Sequence, residues 1–189
     1  MNSTDLTLIQ QAAKGSQDAF QSLVIRHQNL IYSLCYRLLS NSAEAEDATQ
    51  EVFIKLWKNL SAYRSENKLS TWLYRITNNH CLDRLKQQKV KRMYAEVQQA
   101  RESVDTTDEQ TMHTELAHAI DHLIARLPEK QRMVFVLAVI EHQSITEIAE
   151  VTGMQKGQVK SNLYYARKQM SVLLKQYYSE RQKPDSNEL

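Results

Sequence analysis

Apolar residues recur at steps of three and four along most of this sequence, which is the spacing of amphipathic α-helices. The longest such stripe runs from Phe20 to Leu38, and another runs from Ala45 to Leu60. Together the stripes predict helices over about 5–14, 17–40, 43–60, 70–91, 112–127, 128–140, 144–151 and 155–178. No run of residues alternates apolar and polar side chains as a half-buried strand does. The pattern predicts an all-α protein.

Residues with special backbone preferences stand at the ends of these predicted helices. Gly15 follows the first stripe, where helices commonly end on a left-handed glycine, and Ser16 is a good cap for the next helix. Pro128 suits the first turn of a helix because it has no N–H to leave unpaired. Ser144 is followed three residues later by Glu147, the capping-box pattern in which each side chain bonds the other residue's N–H.

The segment Val97–Asp108 has few apolar residues, and the sign of the charge reverses there. Arg84–Arg101 holds six basic residues and one acidic residue, whereas Glu102–Ala125 holds six acidic residues and no basic one. Met154–Arg181 is basic again, with six basic residues and one acidic residue, although the net charge of the chain is only +2. Two basic blocks separated by an acidic one indicate two surfaces that bind an anionic partner. The acidic segment between them does not contact that partner.

These shifts in composition divide the chain. We expect two small helical domains, the second of them a helix-turn-helix, joined by a flexible linker and followed by a disordered tail. The expected bounds are 1–95 for the first domain, 96–111 for the linker, 112–178 for the second domain and 179–189 for the tail.

The composition of the 189 residues narrows the class of protein. Only 3 Gly and 2 Pro are present, which argues against turn-rich β folds and low-complexity chains. Two cysteines are too few for a disulfide framework and suit a reducing compartment. No apolar run approaches the roughly 18 residues of a membrane span, and the N-terminus lacks the pattern of a secretory signal. We expect a cytoplasmic protein that is not inserted in a membrane.

The segment Ser144–Met170 has the pattern of a helix-turn-helix. Ala149 is small where a second helix must approach, Gly153 suits a turn that needs a positive φ, and Val159 points the next helix back into a core. Side chains able to reach phosphates and base edges share the opposite face: Lys156, Lys160, Ser161, Tyr164, Arg167 and Lys168. A helical hairpin with a basic face is the simpler interpretation, but the small residue, the glycine and the donors together favour DNA binding.

A second group of residues surrounds the polar loop that precedes the fourth predicted helix. Aromatic and basic side chains alternate there: Tyr63, Arg64, Lys68, Trp72, Tyr74 and Arg75. Such a mixture suits unstacked bases and a phosphate backbone. Aromatic residues at helical spacing are also common in ordinary cores, so this pattern alone leaves both interpretations open.

Three segments together resemble the extracytoplasmic-function (ECF) sigma factors of RNA polymerase. They are DATQEVFIKLW at Asp47–Trp57, the stretch from Tyr63-Arg64 to STWLYRI, and SITEIAEVTG followed by GQVKSNLYYARK, with LPEKQRMVF before the last. They stand in the order of the family, with sigma region two first and region four last, and the likeness covers nearly the whole chain. The resemblance implies a factor that binds core RNA polymerase and directs promoter-specific initiation.

The resemblance also assigns roles to individual positions. Asp47, Gln50, Glu51 and Ile54 match the surface that docks on the β′ clamp helices, and the β flap is a second implied contact. The residues expected at unpaired minus-ten bases are Arg64, Ser65, Glu66, Asn67, Lys68, Trp72, Arg75 and Asn79, with Arg84 and Lys86 steering the backbone. Those expected at duplex minus-thirty-five DNA are Lys156, Lys160, Ser161, Asn162, Tyr164, Tyr165, Arg167 and Lys168. An anti-sigma factor is an implied partner.

Three positions depart from the family pattern. Asn162 and Tyr165 stand where basic residues are frequent, which favours adenine edges or thymine methyl groups over guanine. Ser65 stands where the family often has glycine, so the loop backbone is expected to differ locally.

Catalytic and metal-binding patterns are weak in this sequence. It has no glycine-rich phosphate loop, no C-x-x-C and no nucleophile elbow, so we expect no enzyme activity, cofactor or small-molecule substrate. His118 and His122, with His113 and Glu115 nearby, could hold a metal, but surface histidines explain them better and we expect no metal site.

The two cysteines and two other function classes complete the alternatives. Cys35 lies among apolar residues and is expected in the core, whereas Cys81 beside His80 fits either a buried residue or a thiol sensor. A conventional helix-turn-helix regulator would use Ser144–Met170 in the same way, without being a polymerase subunit. An interaction protein that only titrates polymerase, or an anti-sigma factor, is the third class.

Overall fold

The computed structural model describes residues 3–63, 68–98 and 115–181, and all the regular structure in these ranges is helical. The chain divides into two compact units, the first made of Met1–Thr111 with Glu150–Gly153 and the second made of Met112–Ala149 with Met154–Leu189. The expected all-α fold of two small helical domains is confirmed. The expected linker falls mostly outside the described residues. None of the helices in the described ranges combines the length and apolarity needed to cross a bilayer.

Four α-helices form the first unit. They are α1 (Ser3–Ala13), α2 (Gln17–Leu39), α3 (Ser42–Lys58) and α4 (Leu69–Gln98), with a 3₁₀ turn at Leu60–Ala62. The second unit contains α5 (Glu115–Ala125), α6 (Glu129–Phe135), the larger part of α7 (Ile145–Thr152) and α8 (Lys156–Arg181), and a π-helical turn over Val136–Ile140 continues α6.

The boundaries between the first three helices follow from local hydrogen bonding. Gly15 has a φ of +97°, and the Ser16 hydroxyl accepts a hydrogen bond from the N–H of Ala19 at 3.3 Å, so both predicted roles are confirmed. Ser40 ends α2 in the left-handed region with a φ of 58°. The Asn41 side chain then caps α3 by accepting from the N–H of Glu44 at 2.9 Å. A two-residue connection therefore reverses the chain without leaving helix ends unsatisfied.

Each unit has its own apolar core. In the first unit α2, α3 and α4 pack on one another and bury the predicted stripes, with these side chains almost fully enclosed: Leu23, Ile31, Leu34, Ala45, Ala48, Val52 and Leu73. In the second unit α6 packs along α8, and the enclosed side chains are Ile124, Met133, Val134, Leu137, Ile148, Val159 and Ala166. Burial of an apolar side chain of this size stabilises a fold by about 1.5–3 kcal/mol.

Several helix boundaries differ from the sequence prediction. The apolar stripe of α4 fades near Lys91, yet α4 runs to Gln98 because no Gly or Pro interrupts it. α8 likewise runs to Arg181, past the expected start of the tail at 179. Pro128 is the cap before α6, with a ψ of 143°, and not a residue of its first turn. The end of the predicted helix 128–140 is a π-helical turn, which the spacing of apolar residues does not distinguish from an α-helix.

A buried polar contact joins α3 to α4 in the first unit. His80 is 8% exposed, and its Nδ1 lies 2.8 Å from the ammonium Nζ of Lys55. Because an ammonium group only donates hydrogen bonds, Nδ1 must be the unprotonated nitrogen of a neutral imidazole. Burial and the positive charges of Lys55 and Arg84 lower the pKa of His80 below its usual value. Burial likewise lowers the pKa of His27, against the raising effect of Asp5.

Because the pKa values of His27 and His80 are lowered in the folded protein, we expect the protein to lose stability in weak acid. The unfolded chain takes up protons near pH 6.5 that the folded protein resists, so the free energy of unfolding falls as the pH drops through that value. His80→Asn keeps an acceptor for Lys55 but cannot be protonated, so the slope of stability against pH becomes shallower. Each proton contributes at most about 1.4 kcal/mol per pH unit. Urea denaturation at several pH values measures the slope, and an unchanged slope in the variant contradicts the assignment.

Candidate nucleic-acid and protein interfaces

The helix-turn-helix of the second unit is built by reciprocal caps and one glycine. The Ser144 N–H donates to Glu147 Oε2 at 2.9 Å, and the Ser144 hydroxyl accepts from the Glu147 N–H at 3.2 Å, so the predicted capping box starts α7. Gly153 takes a φ of +69° in the turn after α7, which a residue with a side chain adopts only with strain. The Gln158 side chain then accepts from the Gln155 N–H at 3.0 Å, at the start of α8.

The two faces of α8 differ completely in exposure. One face enters the core of the second unit through Val159, Leu163, Ala166, Met170 and Leu173. The opposite face is exposed and carries six of the residues expected at minus-thirty-five DNA: Lys156, Lys160, Tyr164, Tyr165, Arg167 and Lys168. Four of these six side chains are cationic, which suits contact with phosphates.

The two adjacent tyrosines of α8 are exposed and lie outside the core. Tyr164 is 63% and Tyr165 56% exposed, and their rings meet edge to face with centroids 5.4 Å apart. A shallow groove between the start of α7 and α8 is lined by Ile145, Lys160, Leu163, Tyr164, Arg167 and Lys168. The groove thus presents an apolar floor with cations and a phenol at its edge. Such a mixture matches thymine methyl groups beside a phosphate backbone.

The two short polar residues of α8 bond to their own helix. The Ser161 hydroxyl donates to the Gly157 carbonyl at 3.0 Å, and the Asn162 amide nitrogen donates to the Gln158 carbonyl at 2.8 Å. Ser161 is exposed, whereas Asn162 is half-buried. One of the two amide hydrogens of Asn162 is therefore used within the helix, which leaves its other N–H and its carbonyl oxygen for a ligand.

The expected polymerase-facing residues lie together on the exposed side of α3. Asp47, Gln50, Glu51 and Ile54 are all exposed, and their spacing places them along one helical face. Ile54 is 47% exposed, a large aliphatic side chain among carboxylates and an amide. An apolar centre with an acidic rim is the composition of a protein-binding surface.

The sequence prediction missed an aromatic extension of this face. Trp57 is 38% exposed three residues after Ile54, and its ring packs edge to face on Phe20 of α2, with centroids 4.7 Å apart. Gln17, Phe20, Gln21, Val24 and Trp57 line an open groove there. The sequence held a usable signal, because Trp57 continues the series of exposed positions at i+3 from Ile54.

Arg84 of α4 fixes the position of α3. Its Nε lies 3.2 Å from Glu44 Oε2 and its Nη2 lies 3.6 Å from Asp47 Oδ2, while Nη1 donates to the Glu44 carbonyl at 3.1 Å. Its side chain is 25% exposed, and all three of these contacts are made within the first unit. Lys86, expected to act with Arg84, is exposed and lies 3.4 Å from Asp83.

The start of α4 holds the residues expected at minus-ten bases. Lys68, Arg75 and Asn79 are exposed and share one helical face by their spacing. Trp72 is 9% exposed instead, and its ring packs on Tyr63 with centroids 5.1 Å apart. Arg64, Ser65, Glu66 and Asn67 lie outside the described residues. The described part of this surface thus offers two cations and an amide beside an aromatic pair in which Trp72 is buried and Tyr63 is half-buried.

Metal ligands do not converge in the described parts of the chain. Within residues 3–63, 68–98 and 115–181, no three His, Cys, Asp or Glu side chains come close enough to hold an ion. His122 is exposed, as is His118, and His113 lies outside those ranges.

Comparison with known families matches both units. Residues 23–90 match the family model described as Sigma-70 region 2, and residues 117–170 match Sigma-70, region 4. Sigma factors of this kind are initiation subunits without enzymatic activity. The matched ranges contain α3, most of α2 and α4, and the whole helix-turn-helix.

Individual sigma factors are similar to this chain over most of its length. The ECF RNA polymerase sigma factor SigW of Bacillus subtilis is 35% identical over 180 residues, covering 88% of this chain and 95% of SigW. The sigma-E factor of Escherichia coli K12 is 30% identical, covering 87% of this chain and 91% of sigma-E. Among solved structures, the Bartonella quintana sigma factor RpoE, in complex with the anti-sigma factor NepR, has 22% identity and a TM-score of 0.70 over 85% of this chain and 98% of RpoE. The chain belongs to the family of ECF RNA polymerase sigma factors.

Proposed function

We propose that this protein binds core RNA polymerase and directs initiation at promoters with two recognised elements. In this proposal residues 1–95 form sigma region two and residues 112–178 form sigma region four, joined by residues 96–111. The observation that carries the proposal is the outer face of α8, where four cations and two tyrosines lie opposite a buried apolar stripe. That face follows a capped α7 and a glycine turn, the arrangement in which a second helix enters the major groove.

We assign duplex reading at the minus-thirty-five element to α8. Lys156, Lys160, Arg167 and Lys168 contact phosphates and set the register, while Tyr164 and Tyr165 contact base edges and thymine methyl groups. Asn162 bonds within α8 through one amide hydrogen, and its other N–H and its carbonyl oxygen contact an adenine edge. This assignment favours sequences rich in A·T pairs.

We assign the unpaired minus-ten bases to the start of α4. Asn79 offers both a donor and an acceptor to the exposed edge of an extruded base, and Arg75 and Lys68 hold the adjoining phosphates. Trp72, packed on Tyr63, supports this surface from beneath instead of stacking on a base in the unbound protein. The loop Arg64–Asn67 completes the pocket in this proposal. Binding the open strand more tightly than the duplex is what drives melting.

We assign polymerase docking to the face of α3 that carries Asp47, Gln50, Glu51 and Ile54, with Trp57 as its aromatic edge. The β′ clamp helices are the proposed partner here, and the β flap is the proposed partner of the second unit. The same face of α3 is the surface that an anti-sigma factor would cover. The solved complex of RpoE with the anti-sigma factor NepR supports a partner of this class.

Truncation of Ile54 tests the docking surface. Ile54→Ala removes the exposed aliphatic centre of the α3 face, and we expect the affinity for core RNA polymerase to fall by about tenfold, since central interface residues are worth more than about 1 kcal/mol. Competition binding with a labelled copy of the protein measures the change. Val90→Ala removes a similar side chain from α4, where Val90 is 50% exposed, and is expected to change nothing. Equal losses in the two variants contradict the assignment.

Removal of one cation tests the recognition helix. Lys160→Ala is expected to weaken promoter binding by the holoenzyme and to lower the slope of log affinity against log salt by about one, as one phosphate contact is lost. Anisotropy titrations of promoter DNA over a range of salt concentrations measure both quantities. Lys130→Ala removes an exposed lysine of α6 and should leave the affinity and the slope unchanged. A Lys160→Ala holoenzyme with the wild-type slope rules out a phosphate contact by Lys160.

A further inference from the structure

The two cysteines of the chain touch each other in the core of the first unit. Cys35 of α2 and Cys81 of α4 are both fully buried and free, and their sulfur atoms are 3.7 Å apart. They are 46 residues apart in the sequence, so the packing of α2 against α4 alone brings them together. Neither thiol has a role in the proposed docking or DNA surfaces.

The surroundings of the two thiols make them chemically unequal. The Cys81 S–H donates to Cys35 Sγ, and this hydrogen bond and the charge of Arg84 lower the pKa of Cys35. Burial opposes that effect at Cys35. The same hydrogen bond, together with burial, raises the pKa of Cys81. Cys35 is therefore the thiol that ionises first, and Cys81 keeps its proton.

We propose that Cys35 and Cys81 form a redox-active pair that a hydroperoxide oxidises to an intramolecular disulfide, linking α2 to α4. A disulfide needs a sulfur–sulfur distance of about 2.05 Å, which small rotations of two side chains already in contact supply. This modification site is independent of the proposed function in transcription.

The reaction balances with one hydroperoxide for each pair. The Cys35 thiolate attacks the O–O bond, takes one oxygen as sulfenic acid, and releases an alkoxide that gains a proton as an alcohol, or as water from hydrogen peroxide. The Cys81 sulfur then attacks the Cys35 sulfur as its S–H proton passes to the departing hydroxide, so that the S–S bond forms, the S–O bond breaks and water leaves. The two sulfurs lose two electrons in total, and the O–O bond receives them. Thiol reductants reverse the bridge.

Burial determines how the oxidant arrives. Because neither sulfur is accessible in the closed structure, the hydroperoxide enters when the packing between α2 and α4 opens locally. We therefore expect oxidation to accelerate in urea concentrations well below the unfolding midpoint. The bridge then closes the open form and raises the urea midpoint of the first unit.

The test uses the full-length protein under native conditions with hydrogen peroxide. Intact mass spectrometry is expected to show a monomer lighter by about two mass units, because two hydrogens leave, and both cysteines become unreactive to maleimide after denaturation. Dithiothreitol should restore the mass and both thiols. The Cys35→Ala and Cys81→Ala variants should show no such mass loss. Sulfinic acid or disulfide-linked dimers as the native product overturn the proposal.

A second measurement does not depend on the folding of the variants. Wild-type protein is equilibrated in oxidised and reduced glutathione, once natively and once in concentrated urea, and the bridged fraction is determined by mass. Folding holds the sulfurs in contact, so we expect the equilibrium constant for the bridge to be at least about tenfold larger in the native protein. A native constant equal to or below that of the unfolded chain shows that the core does not accommodate the bridge, and overturns the proposal.

Discussion

Each unit of this protein must bury one apolar stripe per helix, and that requirement decides which faces remain for partners. In α8 the stripe from Val159 to Leu173 is enclosed, so the cations and tyrosines of the opposite face point away from the core. In α3 the burial of Ala45, Ala48 and Val52 leaves Asp47 and Ile54 outside in the same way. The proposed binding surfaces are thus the helix faces that the cores leave exposed.

Polar contacts then fix the exact positions of these faces. Arg84 bonds both the backbone and the carboxylate of Glu44 and reaches Asp47, while the Lys55–His80 contact joins the same two helices further along. These contacts hold α3 and α4 together, so the surfaces proposed for polymerase on α3 and for unpaired DNA on α4 have a fixed relative position. Ordered polar links of this kind add positional specificity to an apolar core.

The fold was largely predictable because helical periodicity, the capping box at Ser144 and the glycine turns are local features of the sequence. The family resemblance added the roles of α3, α4 and α8, which residue patterns alone left open. Features made by contacts distant in sequence were not predictable: the pairing of Arg84 with α3, the Phe20–Trp57 edge and the Cys35–Cys81 contact. The placement of Trp72 was not predictable either. An aromatic residue among cations gives the same sequence pattern whether it faces DNA or packs on Tyr63.

The central claim is that both units act together through core RNA polymerase. Run-off transcription from a library of genomic promoters, with bacterial core polymerase in the presence and absence of this protein, tests it most directly. We predict discrete transcripts that require both components, from templates that share two upstream elements with a fixed spacing. Tight polymerase binding without such transcripts contradicts the claim, as does specific promoter binding by the isolated protein that polymerase does not strengthen.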